Sequence, residues 1–169
     1  KIGDHQAKYE EIEYTLPLLG DVQLINSALA IATIKILQQK GWNISPLAIQ
    51  TGIEATRWQG RIQWITWRNH RLLIDGSHNS ASSQVLRNYV DTLKQRILWV
   101  MGILATKDHE DIFKVLFKSG DQLYLVPVPD HSTAEPEYLA DLAHQVCPQL
   151  ETIKTFPDLF TALETAIEN

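Results

Sequence analysis

The chain has 169 residues, 44% of them hydrophobic and 21% charged, with a formal net charge of −5. That length allows one domain, or one domain with a piece of another, and a body of this size buries about 70% of its unfolded surface without disulfide staples. The acidic balance, with a pI near 5.6, excludes the basic face that nucleic-acid binding needs. No run approaches the roughly 18 apolar residues of a membrane-spanning helix, and the single cysteine, Cys147, excludes an intrachain disulfide and suits a reducing cytoplasm.

The first fifteen residues are polar, with an edge strand expected over 10–14 that places Ile12 and Tyr14 on one face. Leu24, Ala28, Ile31, Ala32, Ile34 and Leu37 recur near helical spacing and predict a helix over 22–39, stopped by Gly41. Ser45 and Pro46 open a second helix as N-cap and first helical residue, running to about Thr56. Residues 61–67 alternate and are rich in β-formers, Arg68-Asn69-His70 is a turn signal, and Arg71–Ile74 returns, which predicts a hairpin. Helix 80–93, strand 96–101, helix 108–118, strand 121–126, helix 135–146, strand 151–155 and helix 157–167 then follow. Strands alternating with helices imply an α/β, Rossmann-like, mostly parallel sheet with helices on both faces, entered through the hairpin.

The boundary is expected between Thr56 and Arg61. Residues 1–60 carry a helical pair with too little apolar surface for a domain of its own, so they read as the tail of a preceding domain; residues 61–169 form the Rossmann-like domain. The chain starts at Lys1 without an initiator methionine or signal-peptide pattern and finishes on a helix without a final strand. Both ends are expected to belong to a piece of a longer protein.

Five constellations bear on chemistry. In Asp75-Gly76-Ser77-His78-Asn79 a strand end meets a helix start, the place where parallel α/β sheets hold ligands. An acid there suits ribose hydroxyls and an imidazole suits a phosphate oxygen; a plain turn, with Asp75 and Asn79 capping backbone amides, fits the same residues. Arg61 follows Gly60 at the junction, where a guanidinium can clamp a phosphate with two donors or stand exposed at a strand start. Asn26 offers a donor and an acceptor that suit an adenine edge, or is a capping or solvent-facing asparagine. In Gly102–Asp108, Asp108 with Asp111 resembles a capping pair with Glu110 adding charge at the helix start, and Lys107 suits an anionic substrate. In Val126–Thr133, Asp130, His131 and Ser132 suit a polar capping loop better than substrate recognition. The six histidines lack paired metal-ligand spacing, and no phosphate-cradling Gly-x-x-x-x-Gly-Lys-Ser/Thr loop is present; the five tryptophans mostly fall within strands or at their ends, which suits core or hairpin packing better than a stacking platform.

Leu18-Leu19-Gly20-Asp21-Val22-Gln23-Leu24-Ile25-Asn26-Ser27, Trp58-Gln59-Gly60-Arg61 and Asp75-Gly76-Ser77-His78-Asn79 occur in that order. Together they resemble the C-terminal part of folylpolyglutamate synthase/dihydrofolate synthase, in the Mur ligase family, from about Leu16 to the end. The family's pattern runs roughly Leu-Gly-x-His-Gln-x-x-Asn-Ala, Trp-x-Gly-Arg, Asp-Gly-Ala-His-Asn. Val22 stands where that pattern has a histidine, Thr106 replaces the first acid of Gly-x-x-x-Asp-Lys-Asp, and the arginine usual near Thr133 is missing. The resemblance implies that residues 1–60 are the tail of a central ATPase domain and that Asn26, Arg61, Asp75 and His78 bind ATP. It implies a substrate role for Lys107 and Asp108 and no catalytic or metal-ligating residue here. The phosphate loop, the Mg²⁺ ligands and most of the folate site would belong to the preceding part of the same chain. Expected partners are ATP, L-glutamate and folate or dihydropteroate, with no nucleic acid and no membrane, and this piece alone is expected to turn over nothing. Another Mur-type ligase acting on a cell-wall precursor, or a non-catalytic doubly wound binding module, are the competing readings.

Overall fold

The computed structural model describes residues 1, 5–129 and 132–168, and the chain divides into two compact units, Lys1–Gly76 and Ser77–Asn169. In the first, β1 (Gln6–Tyr9) and β2 (Ile12–Thr15) form an antiparallel hairpin whose Glu10 takes a φ of 50° in the two-residue turn. Strand alternation sends Ala7, Ile12 and Tyr14 inward. They meet Ile31 of α1 (Val22–Gln39) and Ile49 of α2 (Pro46–Glu54) in one buried cluster. The Tyr14 hydroxyl reaches Ser27 Oγ at 2.8 Å within it.

The helix ends follow their sequence signals. Ser45 Oγ accepts from the Ala48 amide. After α1, Gly41 at φ 93° lets its amide reach Gln38 O and the Trp42 amide reach Leu37 O, the paired closing bonds of a glycine-stopped helix. β1 was not expected; with β2 it gives the helical pair a core, burying Ala7 and packing the half-buried Tyr9 against the same cluster. The hairpin β3 (Gln63–Trp67) and β4 (His70–Ile74) forms as expected, turning on Arg68 and Asn69 at φ 46° and 66°, the left-handed pair that matches strand twist. β3 and β4 make a two-stranded sheet of their own. Asp75 therefore follows a strand of an antiparallel hairpin, where the sequence suggested the carboxyl end of a parallel strand. Trp64, Trp67 and Trp99 lie in strands, while Trp42 and Trp58 stand 62% and 64% exposed outside them.

The second unit opens with α3 (Ser80–Asp91), followed by β5 (Leu98–Met101), α4 (His109–Leu116), β6 (Gln122–Leu125), α5 (Pro136–Val146), β7 (Thr152–Thr155) and α6 (Leu159–Ile167). β5, β6 and β7 pair in parallel in that order, which right-handed crossovers produce from successive strand–helix–strand units. Helices cover both faces. Ala162 and Ala166 of α6 pack with Tyr124, Val126, Leu98 and Val100 on one. On the other, Trp99 stands 6.0 Å from Phe117 at the end of α4, and α4 adjoins α3 and α5. At the amino ends of the strands, Arg87 and Asp121 form a buried ion pair at 2.7 Å. Asp121 also accepts from Trp99 Nε1 and from the Ile97 and Lys118 amides, while Arg87 donates to Asp91 and Leu116 O. Satisfying every member in this way is what makes a buried charged pair tolerable. No helix among the described residues is long and apolar enough to cross a membrane.

Candidate functional site

In the first unit the Trp58–Arg61 and Asp75–Gly76 segments are tied together by two hydrogen bonds. Asp75 Oδ2 accepts from the Ile62 amide at 2.9 Å, and the Gly76 amide donates to Gly60 O at 2.7 Å. The Gly60 amide donates in turn to Gln63 Oε1. The turn needs this clamping. Gly60 takes a φ of 69° without cost, but Ile62 takes 45° with its side chain buried, and a β-branched residue is strained there. Arg61 lies between the two clamped residues. It is half-buried, and its guanidinium has no hydrogen-bond or ion-pair partner among the described residues. The structure thus brings Arg61 and Asp75 together. Asn26 stands exposed on α1 with its amide donated to Gln23 Oε1 at 3.0 Å, so its hydrogen bonding does not join it to that junction.

The second unit holds the other expected residues. His78 is exposed, its amide donating to Ser82 Oγ at 3.2 Å. Asn79 is the N-cap of α3, in a reciprocal box with Ser82. Asp75, on the Ile62 amide, and Asn79, on the Ser82 amide, thus both accept from backbone amides, as the capping alternative read from the sequence has them.

Beyond the carboxyl ends of β5 and β6 lies an open cleft of about 570 Å³, within the range of small-molecule sites. Lys107, Asp108, His109, Glu110, Thr133 and Tyr138 line it. Its walls are the loops after β5 and β6, zipped by an antiparallel bridge between Leu104 and Thr133. The Ala105 amide donates to Ser132 O and the Ala134 amide to Ile103 O, each at 2.9 Å. Gly102 lets the loops approach, since a Cβ there would lie 3.0 Å from Val126 O. Thr133 Oγ1 accepts from the Val128 amide and donates to Ala134 O.

Lys107 is half-buried and its ammonium has no partner among the described residues. Asp108 instead caps α4, accepting from the Asp111 amide at 3.3 Å. Glu110 is held by Lys114, whose pKa this pairing raises. His109 and Tyr138 went unmarked in the sequence. His109 adjoins Lys107-Asp108, but only the fold shows that it is buried and that α5 brings Tyr138 to it. Asp130 and His131 lie outside the described residues. Among the described residues no three His, Cys, Asp or Glu side chains converge to hold a metal ion.

A family model described as "Dihydrofolate synthetase, C-terminal domain" matches residues 59–169. The chain belongs to this family. Among curated relatives, the folylpolyglutamate synthase of Lacticaseibacillus casei is 33% identical over 144 residues, covering 84% of this chain and 33% of the relative. Among solved structures, the bifunctional folylpolyglutamate synthase/dihydrofolate synthase of Yersinia pestis complexed with AMPPNP and Mn ion is 26% identical. It aligns with a TM-score of 0.70 over 96% of this chain and 37% of that one. The Mycobacterium tuberculosis folylpolyglutamate synthase complexed with ADP and AMPPCP shares the fold, with a TM-score of 0.76 at 23% identity over 92% of this chain and 36% of that one. The chain spans about a third of the length of these family relatives. The family match starts at residue 59 and so includes the β3–β4 hairpin, which spatially groups with the first unit.

Proposed function

We propose that this chain is the C-terminal part of an ATP-dependent ligase that adds L-glutamate to a folate or to dihydropteroate. Residues 1–60 would be the tail of the central ATPase domain and residues 61–169 the glutamate-ligase domain. In the reaction the γ-phosphoryl group passes from ATP to a folate carboxylate, ADP leaves, the amine of glutamate attacks the acyl phosphate, and phosphate leaves as the amide forms. Positioning and charge neutralisation supply most of the rate in such transfers.

The observation that carries this reading is the clamped turn at Arg61. A partly buried guanidinium without a partner among the described residues, on a turn fixed from both sides by Asp75 and Gly76, suits a phosphate oxygen of ATP. Asn26 and Asp75 are proposed to contact the nucleotide with it; in the second unit His78 is proposed as a further ATP contact, and Lys107 with the cleft beside it takes a carboxylate of the incoming amino acid. Asp108 acts there through its cap on α4. The described residues do not fit the Mg²⁺ that accompanies ATP. The relatives are about three times longer, which leaves room for metal ligands and a phosphate loop elsewhere in the protein; a cytoplasmic location is part of the same proposal.

The first unit supports a preceding domain. Val22, Ile25, Leu29 and Ile36 stand 37% to 62% exposed and fall within about 60° of one another around α1 at 3.6 residues per turn. Leu24 and Ile31 of the same helix enter the core of the unit. A helix apolar on both sides is a buried helix, and the absent ATPase portion of the longer chain is its natural cover.

The test is ligation by the full-length protein. Glutamate-dependent ADP release with a folate acceptor, and none with a cell-wall precursor, is expected; Arg61→Ala raises KM for ATP by about tenfold, as loss of a charge-assisted bond does. Turnover by residues 1–169 alone contradicts the proposal.

A further inference from the structure

We infer that His109 is a positioning residue that fixes Lys107 in the cleft of the second unit. The inference rests on the proposed use of that cleft for the amino-acid substrate. Three observations carry it. His109 is 7% exposed, and its Nε2 lies 2.9 Å from Leu104 O, a carbonyl that can only accept, so Nε2 carries the proton. The same carbonyl accepts from the Lys107 amide at 3.2 Å. Both bonds close on one oxygen, and together they define the turn from Leu104 to Lys107. Finally, the His109 ring meets Tyr138 of α5 edge-on, with centroids 5.9 Å apart at 66°.

The loop is thus held from two sides. The bridge between Leu104 and Thr133 ties its start to the loop after β6. His109, in the first turn of α4, reaches back to the Leu104 carbonyl. Lys107 is the one loop residue between these anchors whose ammonium has no partner of its own among the described residues. Ordering a loop on binding costs conformational entropy, so a turn that fixes the Lys107 backbone in advance lowers what binding must offset. His109 acts through Leu104 and Lys107 and needs no contact with the reacting atoms.

The clean substitution is His109→Phe, which keeps a ring against Tyr138 and removes the donor. His109→Gln returns a donor near the position of Nε2. In the full-length protein, His109→Phe is expected to raise KM for L-glutamate about fivefold, the scale of one net hydrogen bond, with kcat and KM for ATP unchanged. His109→Gln is expected to restore it. Amide exchange at Lys107 is read in the same variants without any substrate: faster in His109→Phe, slow again in His109→Gln. Equal exchange in all three proteins overturns the positioning role. Faster exchange in His109→Phe with unaltered KM for glutamate also overturns the inference, because the turn then does not serve the substrate. A wild-type protein that ligates no glutamate sinks the functional reading, while the exchange comparison still decides whether His109 fixes the turn.

Discussion

Asp75 Oδ2 accepts a hydrogen bond from the Ile62 amide at 2.9 Å, across thirteen residues of chain. The bond holds Ile62 in a left-handed conformation at φ 45° that its branched side chain disfavours, and so sets the direction in which Arg61 leaves the turn. Asp75→Ala removes the acceptor and is expected to cost about 1.5–3 kcal/mol, the range for bonds to charged groups. Urea denaturation measures this, and faster exchange of the Ile62 amide localises it. Asp75→Asn retains an acceptor oxygen and is expected to cost under about 1 kcal/mol. In the full-length protein Asp75→Asn then separates the structural bond from the proposed nucleotide contact: ATP affinity falls while stability holds.

Much of this was legible in the sequence because local signals and tertiary needs agree. Pro46 after Ser45, Gly41 after α1 and the alternation of residues 61–67 each fix an element by short-range chemistry, and α1 was read as it folds. Strand β1 escapes the sequence because four residues, with only Ala7 and Tyr9 turned to the core, are too short for a pattern. The clamping of Asp75 to Ile62 was hidden for another reason. It depends on a hairpin closing with the register Gln63 opposite Ile74, which no spacing in the sequence announces. The resemblance put Arg61 and Asp75 in one site; the geometry adds that Asp75 builds the turn carrying Arg61. His109 was illegible because burial and the arrival of Tyr138 are products of the fold.

Two glycines separate close approach from backbone propensity. At Gly102 a Cβ would lie 3.0 Å from both Val126 O and Val128 Cγ2. A backbone oxygen between paired strand ends yields little, so Gly102→Ala is expected to cost about 1–3 kcal/mol, as overpacking does. Gly52 lies within α2 with nothing within 4 Å of a built Cβ. Gly52→Ala is expected to stabilise by roughly 0.4–1 kcal/mol through helix propensity and a less disordered unfolded chain. Urea midpoints of the two variants should move in opposite directions.

Arg87 and Asp121 are 4% and 3% exposed, so removing one partner strands a buried charge. Arg87→Met is expected to cost about 3–5 kcal/mol, as broken buried pairs do. Asp121→Asn should cost less, since its remaining oxygen can still accept from Trp99 Nε1 or from the Ile97 and Lys118 amides. In a double-mutant cycle the combined loss falls short of the sum. A sum that is simply additive means that the two side chains do not act as a pair.

Asp158 caps α6, accepting from the Thr161 amide at 2.9 Å and from its hydroxyl at 2.8 Å. The amide bond, then the hydroxyl bond, holds its carboxyl below the ordinary aspartate value. Asp91 is lowered in the same direction, first by Lys118 and also by Arg87. A carboxylate whose folded pKa is depressed contributes stability above its unfolded pKa, about 3.9, and loses it as pH falls through the folded value. Asp158→Ser keeps a capping oxygen without the charge. Wild type is therefore expected to exceed this variant in stability at about pH 7, and the gap should close on acidification below about pH 4. Urea unfolding of both proteins across that range measures it. A gap that stays constant into acid assigns the advantage to cap geometry and none of it to the carboxylate's charge.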